Sequence, residues 1–212
     1  MPTGVAIRDA RGQLFDAADR VLLRAGPSAL TSRAVTAEAG VAKGVLHRHF
    51  ADFDAFLAEF VLDRAERLDR DAAVLRAAAG AGTVAGNLTE ALMALFGSVA
   101  VAIVPLITFR DELRARLRDT WPAGVPVLTE AVVVIAAYLT AEQELGRVAA
   151  DATMEMLAPM LIGTTHLLYA DRTGGPPSAA AVRNVVTSVL AGAAAGDAPR
   201  RPASSPQRGA GC

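Results

Sequence analysis

Apolar residues recur every three or four positions along most of the chain, which is the spacing of an amphipathic α-helix. Glycine and proline interrupt this spacing and mark the ends of the predicted elements. Runs of β-branched residues are short, so no sheet is predicted. The pattern therefore predicts an all-α protein with about nine helices, over residues 7–25, 31–39, 42–49, 53–79, 85–104, 105–119, 126–145, 151–171 and 178–194.

The same pattern divides the chain into three parts. The first three helices predict an N-terminal domain over residues 1–52, and the later ones a helical bundle over residues 53–195. Residues 196–212 are polar and proline-rich without apolar periodicity, so we expect a disordered tail. Composition agrees with this picture, because 46 of the 212 residues are alanine and only 5% are aromatic.

Compartment and membrane association follow from three features. The longest uncharged stretch, residues 91–109, has the length of a membrane span, but Gly97 and Pro105 interrupt it. The first residues lack the apolar segment of a secretory signal, and the only cysteine, Cys212, excludes a disulfide framework. We therefore expect a cytoplasmic protein without a membrane span and without a cofactor.

Basic residues are concentrated in the first quarter of the chain. Residues 1–50 carry seven basic and four acidic groups, although the whole chain has a net charge of −1. The only lysine, Lys43, lies in the segment TSRAVTAEAGVAKGVLHRHF, residues 31–50. Two short helices joined by a turn with a glycine, here Gly40, form a helix-turn-helix pattern. Its second helix presents Lys43, Gly44 and Val45, which are small or basic enough to enter a major groove.

The stretch VTAEAGVAKGVLHRHF, residues 35–50, resembles the DNA-binding signature of the tetracycline-repressor (TetR) family, and the likeness spans about residues 7–60. The resemblance implies a homodimeric transcriptional regulator with a DNA-binding domain and a helical domain for ligand binding and dimerisation. The charge of Arg48 adds this residue to the DNA contacts that the resemblance implies. The candidate set is Thr31, Ser32, Arg33, Lys43, Gly44, Val45, His47, Arg48 and His49.

Three positions depart from the family's pattern. His47 replaces a tyrosine, Ala42 replaces a hydroxyl residue that would cap the second helix, and Phe53 replaces a lysine that would contact a phosphate. Ala42 and Phe53 motivate an alternative function, a dimeric helical ligand-binding protein whose operator binding is weakened or lost. Salt-dependent retention on DNA distinguishes the two functions.

Three stretches in the predicted bundle are almost without charge: residues 77–109, 120–141 and 152–170 carry only Glu90, Glu130 and Glu155. Helices this poor in charge must face protein on most sides, and their small residues leave room for a cavity. We expect a neutral, mostly apolar effector between the helices at 85–104, 105–119, 126–145 and 151–171; the same residues could equally be plain core. The lining candidates are Met93, Phe96, Phe109, Trp121, Tyr138, Met154, Met160 and Thr164.

The last two helices carry more apolar surface than one small bundle needs, so residues 151–194 are predicted to form a four-helix dimer interface. That surface consists of Leu157, Leu161, Leu168, Val182, Val185, Val186, Val189 and Leu190.

Catalysis is not predicted, because the sequence has no glycine-rich phosphate loop, no HExxH motif and no plausible cysteine nucleophile. His47 and His49 lie on different sides of a helix, so no metal site is predicted either. The sequence therefore favours a repressor that a small ligand releases from a palindromic operator.

Overall fold

A computed structural model describes residues 9–97, 99–122, 124–170 and 175–194. This part of the chain contains ten α-helices, one 3-10 turn at Pro27–Ala29 and no strand, so the all-α prediction is confirmed. The predicted tail at 196–212 lies outside it. The helices are α1 (Ala10–Ala25), α2 (Ser32–Glu38), α3 (Gly44–His49), α4 (Phe53–Ala77), α5 (Val84–Phe96), α6 (Ala100–Thr108), α7 (Asp111–Thr120), α8 (Pro126–Glu144), α9 (Met154–Ala170) and α10 (Ala179–Ala194).

Local side-chain chemistry sets the ends of the N-terminal helices. The hydroxyl of Thr31 accepts the Ala34 N–H at 3.1 Å and caps α2, and the carboxylate of Asp52 accepts the Ala55 N–H at 2.8 Å and caps α4. Gly26 follows α1 with a φ of 76°, a conformation that glycine adopts without steric cost. The predicted boundaries in this region are confirmed to within a few residues.

The predicted helices at 85–104 and 105–119 are wrong, because this stretch forms three helices. Gly97 ends α5, and α6 is bent from it by 53°. Pro105 lies inside α6 instead of opening the next helix. Proline has no backbone N–H, so the helical carbonyl four residues before it loses its hydrogen-bond donor. Burial of Ile103 and Ile107 on the same short helix offsets that loss.

No single helix in the described ranges is long and apolar enough to cross a membrane. Only the bent pair α5 and α6, taken together, has the required length and composition.

An aromatic cluster forms the core of the N-terminal domain. Phe15 of α1 lies 5.9 Å from Phe50 and 5.6 Å from Phe56, measured between ring centroids, and Phe60 completes the group. Phe56 and Phe60 belong to α4, so the first turns of α4 complete this core. The rest of α4 packs against α8, which also packs against α9, while α10 packs against α5 and α9. The helix α4 therefore links the two parts of the protein.

Candidate DNA-binding surface and ligand cavity

The segment at residues 31–50 forms a helix-turn-helix. Gly40 adopts a φ of 67° in the turn, and the Val41 N–H donates to the Thr36 carbonyl at 3.0 Å to close it. Val35 and Leu46 are fully buried, and they hold α2 and α3 against the aromatic cluster. The turn at Gly40 predicted from the sequence is confirmed.

Glu38, the only acidic residue of the helix-turn-helix, is neutralised by α1. Its two carboxylate oxygens accept hydrogen bonds from Arg20 at 2.8 Å and from Arg24 at 2.7 Å. These hydrogen bonds hold the pKa of Glu38 below its ordinary value. The pairs also bind α2 to α1, so the acid stabilises the orientation of the motif and leaves its positive charges uncompensated.

Those positive charges have no partner among the described residues. Within the described ranges, the side chains of Arg33, Lys43 and Arg48 are exposed and form no ion pair or hydrogen bond. Most other described cations are paired, including Arg20 and Arg24. The helix-turn-helix therefore exposes three uncompensated cations, with His47 and His49 exposed beside them.

Two predicted contacts are not supported by the geometry. Val45 is only 9% exposed, because α3 turns it and Leu46 toward the core, so little of it remains for a thymine methyl. The hydroxyl oxygen of Ser32 is buried and has no hydrogen-bond partner in the described part of the chain. In contrast, Thr31 is exposed, and its hydroxyl still has a hydrogen to donate after accepting from Ala34.

Phe53 has a structural role. Its ring stacks on Phe56 at 5.6 Å, and the guanidinium of Arg110 lies 5.6 Å from its centroid. Arg110 also pairs with Asp54 at 2.8 Å, and Arg116 pairs with Asp52. The Ala55 N–H and Arg116 lower the pKa of Asp52. These contacts attach the start of α4, immediately after α3, to α7.

A second link joins α4 to α1. The buried guanidinium of Arg64 contacts Asp19 at 2.9 Å and Asp63 at 2.7 Å, and its carbon lies 5.1 Å from the Phe60 centroid. Burial raises the pKa of Asp19, and the charge of Arg64 partly opposes this rise. Any rotation of α4 must therefore carry α1 with it or break these ion pairs.

A cavity of about 410 Å³ opens between α4, α5 and α8. Alanines and aliphatic side chains form most of its wall, and Asn87 and Glu90 are its two polar residues. The lining residues are Leu68, Ala72, Val74, Leu75, Ala78, Asn87, Glu90, Ala91, Ala94, Leu95, Ala131, Val134 and Ile135. Two of the four helices that we expected to surround a ligand, α5 and α8, contribute to it.

None of the eight lining residues chosen from the sequence contacts this cavity. Phe96 and Met154 are buried in the core, Phe109 is 84% exposed, and Met160 and Thr164 lie on the outer surface. Met93, Trp121 and Tyr138 also lie outside the lining. Large aromatic and methionine side chains fill space, whereas this space exists where several alanines face one another. Alanines repeated on α4, α5 and α8 are the signal that could have located it.

Tyr138 belongs to a buried polar network beside the cavity. Its hydroxyl donates to Glu142 at 2.5 Å and accepts from the Asn87 amide at 2.9 Å. Burial and the bond to Glu142 raise the pKa of Tyr138 to about 12. Glu142 also accepts from the Gly80 N–H and pairs with Arg147, each at 3.3 Å. The network ties the α4–α5 turn to the end of α8 and fixes the amide of Asn87.

Comparison with known proteins identifies the class. The family described as bacterial regulatory proteins, tetR family, matches residues 14–60, which include the helix-turn-helix. Residues 14–60 are therefore similar to the N-terminal domain of this family. No protein with curated annotation matches the sequence.

Solved structures extend the likeness to the rest of the chain. The fatty acid degradation regulator FadR from Bacillus halodurans is 19% identical, with a TM-score of 0.64 over 91% of this chain and 98% of that one. FadR from Bacillus subtilis, solved with stearoyl-CoA, is 18% identical, with a TM-score of 0.62 over 85% and 98%. A Mesorhizobium loti protein assigned to the TetR family is 15% identical, with a TM-score of 0.62 over 86% and 93%. The chain thus has the fold of a TetR-family transcriptional regulator.

Proposed function

We propose that this protein is a homodimeric transcriptional repressor that binds a palindromic DNA operator through residues 31–50 and is released by a small ligand. The observation that carries the proposal is the charge of the helix-turn-helix. Its acid is neutralised by α1, while Arg33, Lys43 and Arg48 remain exposed and unpaired within the described ranges. Such a surface attracts phosphates and leaves side chains free to contact bases.

The proposed contacts are fewer than the sequence suggested. Thr31, Arg33, Lys43, Gly44, His47, Arg48 and His49 remain in the set, because all are exposed. The side chains of Ser32 and Val45 are left out because of their burial. Phe53 stacks on Phe56 inside the protein, so this position supplies no positive charge for a phosphate. In the proposed complex, Arg33, Lys43 and Arg48 supply that charge instead.

Selection of bound fragments from genomic DNA tests the proposal. We expect an enriched palindrome whose half-sites lie about one helical turn, or a multiple of it, apart, since each helix-turn-helix reads one half-site. Retention on this DNA should fall steeply with salt. Recovery of random fragments without symmetry would contradict the proposal and favour the ligand-binding protein that has lost its operator.

Gly44→Ala is expected to have opposite effects on stability and on DNA binding. A Cβ at this position meets no atom within 4 Å, and alanine is a better helix former, so unfolding in urea should cost up to about 1 kcal/mol more. If α3 approaches DNA closely at Gly44, the added methyl group should weaken operator binding at the same time. Unchanged operator affinity would remove Gly44 from the contact surface.

We further propose that the dimer forms through the outer face of α9 and the adjoining part of α10. Met156, Met160, Gly163, Thr164 and Leu167 lie on one side of α9, and we name them the α9 stripe. Met156 is 61%, Met160 47% and Leu167 72% exposed, and the space beside Gly163 is open. A second copy would cover this apolar surface, which is unusual on the outside of a single chain.

The residues chosen from the sequence for this interface need correction. Leu161, Val182 and Val186 are fully buried within one chain, where α10 packs against α5 and α9. Substituting Val186 would therefore damage the bundle itself and would not test dimerisation. The α9 stripe is exposed and is therefore available to a partner.

We assign the effector to the cavity between α4, α5 and α8. Alanine-rich, mostly apolar walls suit a mid-sized ligand with an apolar body. A ligand there touches α4, and α4 is bound to α1 through Arg64 and begins immediately after α3. Binding would shift the population toward dimers whose recognition helices no longer match the half-site spacing. By linkage, DNA must weaken ligand binding by the same factor.

A further inference from the structure

We propose that the cavity between α4, α5 and α8 selects organic cations with an apolar body, and that Glu90 supplies the charge that binds them. This inference rests on the proposed effector function and replaces the neutral ligand expected from the sequence with a positively charged one. Three features of the cavity carry it: the place of Glu90 on the wall, the absence of a partner for it, and the hydrogen-bonding state of Asn87.

Glu90 faces the cavity because of its position on α5. Asn87, Glu90, Ala91, Ala94 and Leu95 follow the spacing i, i+3, i+4, i+7 and i+8, which places them on one side of a helix, and all five line the cavity. The lining residues from α4 and α8 whose side chains are described are apolar. Glu90 is therefore the only charged group among the thirteen lining residues, at the boundary between an apolar interior and solvent.

The carboxylate of Glu90 has no partner in the described part of the chain, where it forms no ion pair or hydrogen bond. Many other described carboxylates are paired, such as Asp54 with Arg110 and Glu142 with Arg147. None of the lining residues is a cation that could neutralise Glu90. A ligand can supply that charge, and because Glu90 is exposed at the rim of the cavity, the attraction is that of a pair of charges in water.

Asn87 offers the ligand an acceptor and no donor. Its amide nitrogen already donates to the Tyr138 hydroxyl and to the carbonyls of Ala78 and Ala81, at 2.9 to 3.2 Å. Its amide oxygen receives no hydrogen bond from the described residues and lies beside Gly82 in the α4–α5 turn, so it remains free to accept one. The two polar residues of the wall thus present only acceptors, which suits a cation or an N–H donor and disfavours a carboxylate or phosphate.

Three probes with the same ten-carbon chain and different charge test the inference by calorimetry on the full-length protein. They are decyltrimethylammonium, decan-1-ol and decanoate, each below its micelle-forming concentration. We expect the cation to bind most tightly and decanoate most weakly. Equal or tighter binding of decanol or decanoate, or no binding of the cation, would overturn the proposal.

Glu90→Gln tests the role of the charge, because it preserves the shape of the side chain. We expect about a fivefold loss of affinity for decyltrimethylammonium, the effect of one pair of charges about 4 Å apart in water, and no loss for decanol. Glu112→Gln is the matched control, since Glu112 is an exposed acid on α7 outside the cavity. Unchanged cation affinity in Glu90→Gln, or an equal loss in the control, would overturn the assignment.

Ala94→Trp locates the binding. Ala94 is exposed at the cavity, so a large ring there should fill the space without disturbing the core, and it should abolish binding of decyltrimethylammonium. Undiminished binding would place the ligand elsewhere and overturn the inference. DNA retention of Glu90→Gln without ligand should equal that of the parent. A protein that binds the cation but no DNA would contradict the proposed function and leave the cavity assignment intact.

Discussion

Alanine at Arg33 or at Lys43 is expected to weaken operator binding by about tenfold to a hundredfold, with a larger loss in the double variant. Both side chains are exposed and unpaired within the described ranges, and each substitution would remove a proposed DNA contact from both subunits of the proposed dimer. If the lost contact is to phosphate, all sequences should weaken alike, and the salt slope should fall by about 1 per subunit. If it is to a base, preference at one position should relax by ~1–3 kcal/mol.

The matched control is Arg118→Ala, which removes from α7 one exposed cation that is unpaired among the described residues. It changes the net charge by the same amount but should leave operator affinity unchanged. Circular dichroism should show equal helix content in all variants, because none of these side chains contributes to the core. Parent-like binding of both Arg33→Ala and Lys43→Ala near physiological salt would show that the recognition helix is misplaced.

Glutamate at both Met160 and Leu167 is expected to convert the proposed dimer to a folded monomer. A monomer contacts only one half-site, so operator affinity should fall as it would if one half-site were deleted from the DNA. The two residues lie on the α9 stripe at 47% and 72% exposure, so charge there costs little in one chain but would be buried unpaired in the proposed interface. Sedimentation equilibrium measures the association, and binding to the selected palindrome measures the functional consequence.

Val133→Glu is the control for this variant. Val133 lies on α8 and is 57% exposed, so the substitution adds a charge to an equally accessible apolar position outside the α9 stripe. It should leave a dimer with full operator affinity. A stable dimer in the Met160→Glu, Leu167→Glu variant, or a monomeric parent protein, would place the interface elsewhere or remove it.

The N-terminal domain could be predicted almost completely from local chemistry. Thr31 and Asp52 cap helices by hydrogen bonds to residues three positions away, and Gly40 adopts the backbone conformation that its type favours. Phe15, Phe50, Phe56 and Phe60 form the core between these helices. The caps and the turn join residues close in sequence, so they can be predicted locally. The phenylalanines are large and apolar, so their burial in a core is expected from residue type alone.

The cavity could be anticipated but not located. Charge-poor helices and small residues indicated free space, yet the choice of its walls required knowing which helices face one another. Leu68 and Leu75 lie seven residues apart, the spacing of an ordinary apolar stripe on α4, and only the packing of α4 against α8 and α5 turns that stripe into a wall. Large side chains such as Phe96 are attractive ligand contacts, but close packing uses them to fill the core.

The sequence by itself determined the helical class, the helix-turn-helix and the concentration of basic residues in it, because helix periodicity, capping and turn chemistry act over a few residues. The tertiary structure decided which of those charges remain free, since Glu38 is neutralised by two arginines of another helix. It also decided that Val186 belongs inside one chain and Leu167 on its surface, and that Glu90 faces a cavity without a partner among the described residues. Partnership and exposure depend on residues far apart in the chain, and packing alone brings these together.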